Sequence, residues 1–174
     1  LAMSEPGAGS DVVGSMTCKA EKKGDVWVAN GSKMWITNGP DADVLLVYMR
    51  TAPRPAGSRC MTAFIVEKGM PGFSTAQKLD KLGQRSSDTA MIFLDEVKVP
   101  ARNLIGVEGK GFIYQMQQFQ EERLFLSASI LAAMERVIDD TVDYTRQRQV
   151  FGGSLLDNQV VHFRLSELRT EVEA

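Results

Sequence analysis

Two periodicities divide the chain. Over the first hundred residues, apolar positions tend to alternate with polar ones or form short runs bounded by Gly, Pro, Asn or Asp, as in strands. Gly24-Asp25 separates Ser15–Lys23 from Val26–Trp35, a hairpin signal. The run Val44–Met49 reads as a buried strand, Met61–Val66 as another, and 73–79 and 90–99 as further strands, with a loop at 51–59 and a turn at 70–72. After Gly111 the spacing changes to three and four. Met116, Phe119, Leu126, Ile130, Ala133, Val137 and Ile138 mark one long helix reaching Arg148. Gly152-Gly153 is expected to stop it, and a second helix should start near Leu156 or Asp157. The fold class is therefore α+β, with an all-β sandwich or barrel over 1–105 followed by antiparallel helices over 106–174. There is no initiator Met, and the sequence stops within a helical pattern, so we expect a piece of a longer protein.

Composition narrows the function. The 174 residues carry 20 Lys+Arg against 22 Asp+Glu, a net charge of -2, which argues against nucleic acid held by bulk electrostatics. With 44% hydrophobic residues the chain can build a core, which excludes disorder as its main state. No stretch approaches the ~20 apolar residues of a membrane span. Cys18 and Cys60 form no CxxC pair and His162 is the sole histidine, so no metal site is expected and the thiols should be reduced. A Ser-His-Asp triad could use only His162, and no nucleophile-elbow motif accompanies it.

Four segments hold candidate chemistry, and each also has an ordinary structural explanation. Glu5-Pro6-Gly7-Ala8-Gly9-Ser10-Asp11 lets backbone approach a ligand and offers the Ser10 hydroxyl, or is a plain turn. It begins like GxGxxG, but Val12 stands at the last position and no helix is expected to follow. In Lys33–Gly39, alternation puts Trp35, Thr37 and Gly39 on one face and Met34, Ile36 and Asn38 on the other. That arrangement makes an aromatic plate beside a hydroxyl for a flat heteroaromatic ligand, or a core Trp with a satisfied Thr. Glu122 lies three residues after Phe119 and four before Leu126, so it shares the apolar stripe. A carboxylate there is costly unless used or paired, for instance with a nearby Arg. The Arg146–Gly152 segment, with Gln159 beyond it, could grip a pyrophosphate and an adenine, or simply complement a helix C-terminus.

In this order and spacing the motifs MSEPGAGSD, KMWITNG, GFSTAQKLDKLGQRSSDTA, VKVPARNLIG, ERL and RQVFGGSL…NQ resemble the flavin-dependent acyl-CoA dehydrogenases, over essentially the whole chain. The resemblance implies that 1–105 is that family's middle β domain. Residues 106–174 would then be the start of its C-terminal four-helix bundle, here incomplete. It implies FAD as cofactor, with Ser4 against the pyrimidine ring, Trp35 and Ile36 beside the isoalloxazine, and Thr37 near the ring nitrogen that receives hydride. Ser10 would line the junction of flavin and pantetheine. Arg148, Phe151 and Gln159 would grip the pyrophosphate and adenine end of a partner subunit's FAD. Ser58, Gln120 and Arg123 fall where the family contacts the CoA arm.

By the same resemblance the reaction is α,β-dehydrogenation of an acyl-CoA to the trans-2-enoyl-CoA, with electrons passed to an electron-transfer flavoprotein. The enzyme would be a homodimer or homotetramer in the bacterial cytoplasm or the mitochondrial matrix. In long-chain and isovaleryl-type members the base is a Glu directly before an Arg on the helix matching 111–148, which fits Glu122-Arg123; in most others it lies later, beyond Ala174. Three positions depart from the usual pattern: Gln84 for a large residue, Val150 for a Thr, and Gln120 for an Asp. Two alternatives remain open: an acyl-CoA oxidase or flavin monooxygenase relative, and a non-catalytic fragment that self-associates and does not hold FAD.

Overall fold

The computed structural model describes residues 1–174, apart from the side chains of Arg54 and Pro55. Its elements are α1 (Val12–Ser15), β1 (Lys19–Lys23), β2 (Val26–Thr37), β3 (Val44–Arg50), β4 (Met61–Glu67), β5 (Phe73–Thr75), β6 (Thr89–Pro100), β7 (Leu104–Ile105), α2 (Gly111–Gln147), β8 (Gln149–Val150), β9 (Gly153–Ser154) and α3 (Gln159–Glu173). Two compact units result, Leu1–Met116 and Gln117–Ala174.

In the first unit seven strands form one sheet in the order β5-β6-β2-β1-β3-β4-β7. Alternation drives the hairpin β1–β2, paired from Lys19↔Asn30 to Lys23↔Val26 about a left-handed Gly24. The sheet curls over on itself. Trp27 of β2 meets Phe64 of β4 edge-on, ring centroids 5.4 Å apart, although two strands lie between them in the ladder. Such a contact contributes about 0.5–1.5 kcal/mol beyond the area it buries. Around this pair pack Ala29, Val47, Met49, Val66, Ile92, Val97 and Val99, all at 0% exposure. The expected sandwich-or-barrel core is thus enclosed by a single curled sheet.

The ladder is thinnest between β1 and β3, which share one parallel pair, Lys19↔Arg50. Beside that junction the N-terminal segment acts as a partial extra strand. Ala2 donates to the Leu46 carbonyl at 2.7 Å and accepts from the Tyr48 amide at 3.0 Å. The first turns of α2 also belong to this unit. Gly111 lies against the backbone of Thr62 and Ala63, and Gln115 is fully buried.

Several boundaries differ from the sequence reading. A one-turn helix, α1, does follow the Gly-rich segment, because the Asp11 carboxylate accepts from the Gly14 amide at 2.9 Å and caps it. The first hairpin strand therefore begins at Lys19, not Ser15. The strand expected over 73–79 shortens to Phe73–Thr75, with only the Ala76 and Leu79 amides still bonding to the β6 side beyond it. The loop at 51–59 contains 3-10 turns over Arg54–Cys60, broken by Gly57 at φ 59°. The long helix ends at Gln147, before Gly152-Gly153. Those glycines instead help close the hairpin β8–β9, whose two turn residues, Phe151 and Gly152, both take positive φ. A 3-10 turn over Leu155–Asp157 comes next, with a reciprocal Ser154–Asp157 cap, so α3 starts at Gln159 rather than at 156 or 157.

In the second unit the apolar stripe of α2 is not a buried face. Every residue from Glu121 to Val137 is exposed, and only Ile138 of the stripe is buried. Arg169 of α3 bonds to Asp139 of α2 at 3.3 Å, and between the two helices runs an open groove of about 510 Å³ lined by Ile130, Met134, Ile138, Leu168 and Val172. No described helix is long and apolar enough to cross a membrane.

Gly31 of β2 takes φ 142° with the position of a Cβ only 2.6 Å from the Cys18 Cα. Gly31→Ala should therefore destabilise the first unit by at least about 2 kcal/mol through overpacking and backbone strain. Urea unfolding of the full-length protein checks this; an unchanged midpoint would contradict it.

Candidate functional site

The Gly-rich segment is held by a charge that the sequence reading did not single out. Glu5 is buried at 4% exposure, and its carboxylate accepts four hydrogen bonds. They come from the Thr17 amide at 2.7 Å, the Thr17 hydroxyl at 2.6 Å, the Cys18 amide at 2.9 Å and the Lys33 ammonium at 2.9 Å. Lys33 is fully buried and also donates to the Met3 carbonyl at 3.0 Å. Burial pushes the Glu5 carboxyl up, but the Lys33 charge and the Thr17 hydrogen bonds outweigh it and hold the group below its ordinary value of 4.5. The neighbouring Cys18 thiol is pushed up to about 11, chiefly by burial, which leaves it protonated and unreactive at neutral pH. Among the described residues, no cluster of His, Cys, Asp and Glu could hold a metal ion.

Beyond Glu5 the chain makes a tight turn. The Glu5 and Ala8 backbones exchange two bonds, at 2.9 and 3.1 Å, across exposed Pro6 and Gly7. Neither Gly7 nor Gly9 has a positive φ, and a Cβ at either would meet nothing within 4 Å among the described residues. Neither backbone conformation nor packing within this chain requires glycine there, so the open space lies on the outer side. Ser10 is exposed next to that space, while Ser4 is half-buried. The Ser4 carbonyl accepts from the Met34 amide at 2.9 Å, which joins this segment to β2.

Strand β2 departs from simple alternation at the same place. Lys33 pairs with Ile92 and Ile36 with Ala90, so β2 takes three steps where β6 takes two, a bulge at Met34–Trp35. Lys33 faces the core in step with Trp27 and Ala29, and the bulge lets Ile36, three residues on, face it too. Trp35 stands outside at 62% exposure with φ 64°, a costly conformation for a bulky residue. The core tryptophan is Trp27, so the explanation of Trp35 as a core residue fails. Trp35 and Thr37 do share the outer face as expected. Gly39 and Asn38 do not follow: β2 ends at Thr37 and Asn38 turns at φ 57°, leaving Asn38 exposed and Gly39 buried. The Ile36 side chain is in the core at 2% exposure, so only its backbone is available to a ligand. Ser58 lies half-buried in the 3-10 segment before β4.

The second unit carries the remaining candidates. Gln120, Glu122 and Arg123 are exposed on α2. The Arg123 guanidinium sits 5.4 Å from the centroid of the Phe119 ring. Glu122 forms no ion pair among the described residues, so the surface-pair explanation for this carboxylate is not supported. Arg148 directly follows α2, Phe151 occupies the tip of the β8–β9 hairpin, and Gln159 opens α3; all three are exposed. Phe151 is fully exposed with φ 51°, where Asn, Asp or Gly would be the ordinary choice. An apolar ring placed in strained backbone and in water gains nothing from this unit's own packing.

Residues 1–97 match the acyl-CoA dehydrogenase middle domain and residues 109–174 the acyl-CoA dehydrogenase C-terminal domain. The chain is 52% identical to the mitochondrial isovaleryl-CoA dehydrogenase of Pongo abelii, over all of this chain and 41% of that protein. It is 42% identical to the mitochondrial long-chain specific acyl-CoA dehydrogenase of Rattus norvegicus, over 99% of this chain and 40% of that one. The crystal structure of an acyl-CoA dehydrogenase from Geobacillus kaustophilus superposes with a TM-score of 0.90 at 42% identity, covering 99% of this chain and 45% of that one. The chain thus spans about two fifths of the length of the curated relatives it matches.

The Glu5 carboxyl has a depressed folded-state value, so the folded form binds fewer protons than the unfolded form just below pH 4.5. The stability it contributes is fully present above that pH and is lost as pH falls through the folded value. The full-length Glu5→Gln/Lys33→Met variant should therefore lose less stability than wild type between about pH 5 and pH 3. Urea midpoints across that range measure it; parallel acid slopes would refute the assignment.

Proposed function

The chain belongs to the acyl-CoA dehydrogenase family, and from that premise we propose that the enzyme it serves converts a short, branched acyl-CoA to its 2-enoyl-CoA with FAD as the resident cofactor. The exposed Trp35 plate, held out by the bulge beside Thr37, is the observation that carries this reading. A core residue would be inside, and a bare surface would not be expected to retain a strained, exposed indole. The residues present fit a flat ring system: an aromatic face from Trp35, a hydroxyl from Thr37, the Ser4 backbone and hydroxyl, and open space over Gly7 and Gly9. Arg148, Phe151 and Gln159 would hold the pyrophosphate and adenine end of an FAD, in this family's arrangement that of a partner subunit.

When bound, FAD supplies the acceptor for the hydride leaving the substrate's β-carbon. The chain's own residues do the rest. The Glu122 carboxylate takes the α-proton and ends protonated. Such a base typically contributes about 10²–10⁴-fold when it is in reach and shielded from water. Donors aimed at the thioester oxygen would stabilise the charge that develops as the α-proton leaves. Ser10, Ser58, Gln120 and Arg123 would orient the CoA arm, whose binding energy fixes the α-carbon against the base. Identity to an isovaleryl-CoA dehydrogenase exceeds that to a long-chain enzyme, which supports a short branched acyl group. The two electrons would pass to an electron-transfer flavoprotein, in the mitochondrial matrix or the bacterial cytoplasm according to the source organism.

Anaerobic reduction of the full-length holoenzyme with isovaleryl-CoA tests this reading. Wild type should lose its visible flavin absorbance, and Glu122→Gln should do so slower by about 10²-fold or more with FAD still bound. Normal bleaching in the variant would put the base elsewhere. No bleaching of wild type by any acyl-CoA would leave the fold without this activity.

A further inference from the structure

The buried ion pair and the strained indole are parts of one device. Lys33 faces inward in two-residue step with Trp27 and Ala29, and it immediately precedes the bulge residues Met34 and Trp35, where the facing of the strand changes so that Trp35 stands outside and Ile36 inside. The Lys33 ammonium is tied to Glu5 at 2.9 Å and to the Met3 carbonyl at 3.0 Å. Glu5 is fixed in turn by the Thr17 and Cys18 backbone amides at the start of β1. Between these tethers lies Ser4, whose carbonyl takes the Met34 amide inside the bulge. Loss of the pair would remove the anchor on the N-terminal side of the bulge and free it to relax, since a regular strand would spare Trp35 its positive φ.

We propose that the Glu5–Lys33 pair is a positioning device for the ring-binding face, holding the bulge so that Trp35 and Thr37 are presented in fixed register with Ser4. The proposal rests on the FAD reading above for its ligand, but its mechanical core does not. Neither side chain is a catalytic residue; both act through Trp35, Thr37 and Ser4. Removing one charge alone would strand the other in the core, a loss that any structural ion pair would also show. The informative variant removes both charges, because apolar replacement of a buried pair is often close to neutral for stability.

The test uses the full-length protein, as apoenzyme and holoenzyme, in wild type, Lys33→Met and Glu5→Gln/Lys33→Met forms. Hydrogen exchange in the apoenzyme reads the bulge directly. In the double variant the Met34 amide should exchange about tenfold faster or more, while β3–β4 amides such as Leu45 and Val66 keep wild-type rates. The same variant should bind FAD at least about tenfold more weakly and show a displaced visible band, with its thermal midpoint close to wild type. Unchanged Met34 exchange, wild-type FAD affinity and spectrum, a uniform rise in exchange across the sheet, or a double variant that does not fold would each overturn the proposal. Should wild type take up no FAD, the cofactor reading falls, and Met34 exchange alone still decides whether the pair holds the bulge.

Discussion

A single buried ion pair ties together three strands that the β-ladder alone would hold loosely. The ladder between β1 and β3 has one parallel pair, and residues 2–5 run alongside it. Ala2 bonds to β3, Ser4 to β2, and Glu5 to the start of β1, while Lys33 reaches back from β2 to the same carboxylate. Two desolvated charges are an expensive way to join strands. Burying them is repaid only when nearly every lone pair and proton finds a partner. The four bonds on Glu5 meet that condition, and their net effect is to hold its carboxyl below the ordinary value despite burial. An apolar pair could equal the stability. It could not equally dictate direction, because an ammonium inside the core must find its acceptors, which fixes the side on which Lys33 enters and hence where the bulge falls.

Local conformational rules are broken where the candidate contacts lie. Trp35 and Phe151 are both large aromatic residues, both exposed, and both at positive φ. A surface residue free to relax would give up about 1–3 kcal/mol of such strain. Each is instead held by its surroundings, Trp35 by a bulge and Phe151 by a two-residue hairpin turn. Glu96 shows what positive φ means without a ligand. It too sits at a bulge, but the Asn30 side chain accepts from its amide and donates to its carboxylate, so the strain there is explained inside the chain. For Trp35 and Phe151 no side-chain bond of that kind offsets the strain among the described residues, which is the ground for reading them as contact residues in the proposal above.

Much of the fold was legible because it depends on short-range pattern. The Val-Leu-Leu-Val run gave β3, Gly24-Asp25 gave the β1–β2 hairpin, and three-four spacing gave α2 almost to its last residue. The shared outer placement of Trp35 and Thr37, the face proposed to bind a ring, was legible for the same reason, since the two are two apart. The ion pair was not. Positions 5 and 33 are joined by no spacing rule, and each charge looks like ordinary polar punctuation inside its motif. The bulge was also hidden, since alternation has no means of signalling one extra residue; it shows only in the structure, where Lys33 and Ile36, three apart, both face the core. The end of α2 was placed within one residue but its cause was misread, because Gly152-Gly153 resembles a helix stop, while those residues belong to a hairpin that needs a left-handed Gly one residue beyond a left-handed Phe.

The helical unit raises a different physical question, that of water. A carboxylate acts as a strong base only when its charge is not already satisfied by solvent. Glu122 lies in a run, Glu121 to Val137, in which every residue is exposed, Leu124, Phe125 and Leu126 among them. That much apolar surface on one helix has a strong tendency to be covered. Whatever covers Leu126, Ile130 and Val137 also excludes water from the stripe that Glu122 shares, because the carboxylate lies one turn from Leu126. If Glu122 is the base, as proposed above, covering the stripe and shielding that carboxylate from water are one event. On the proposed reading, a stripe residue such as Leu126 would affect turnover through solvent access without touching substrate.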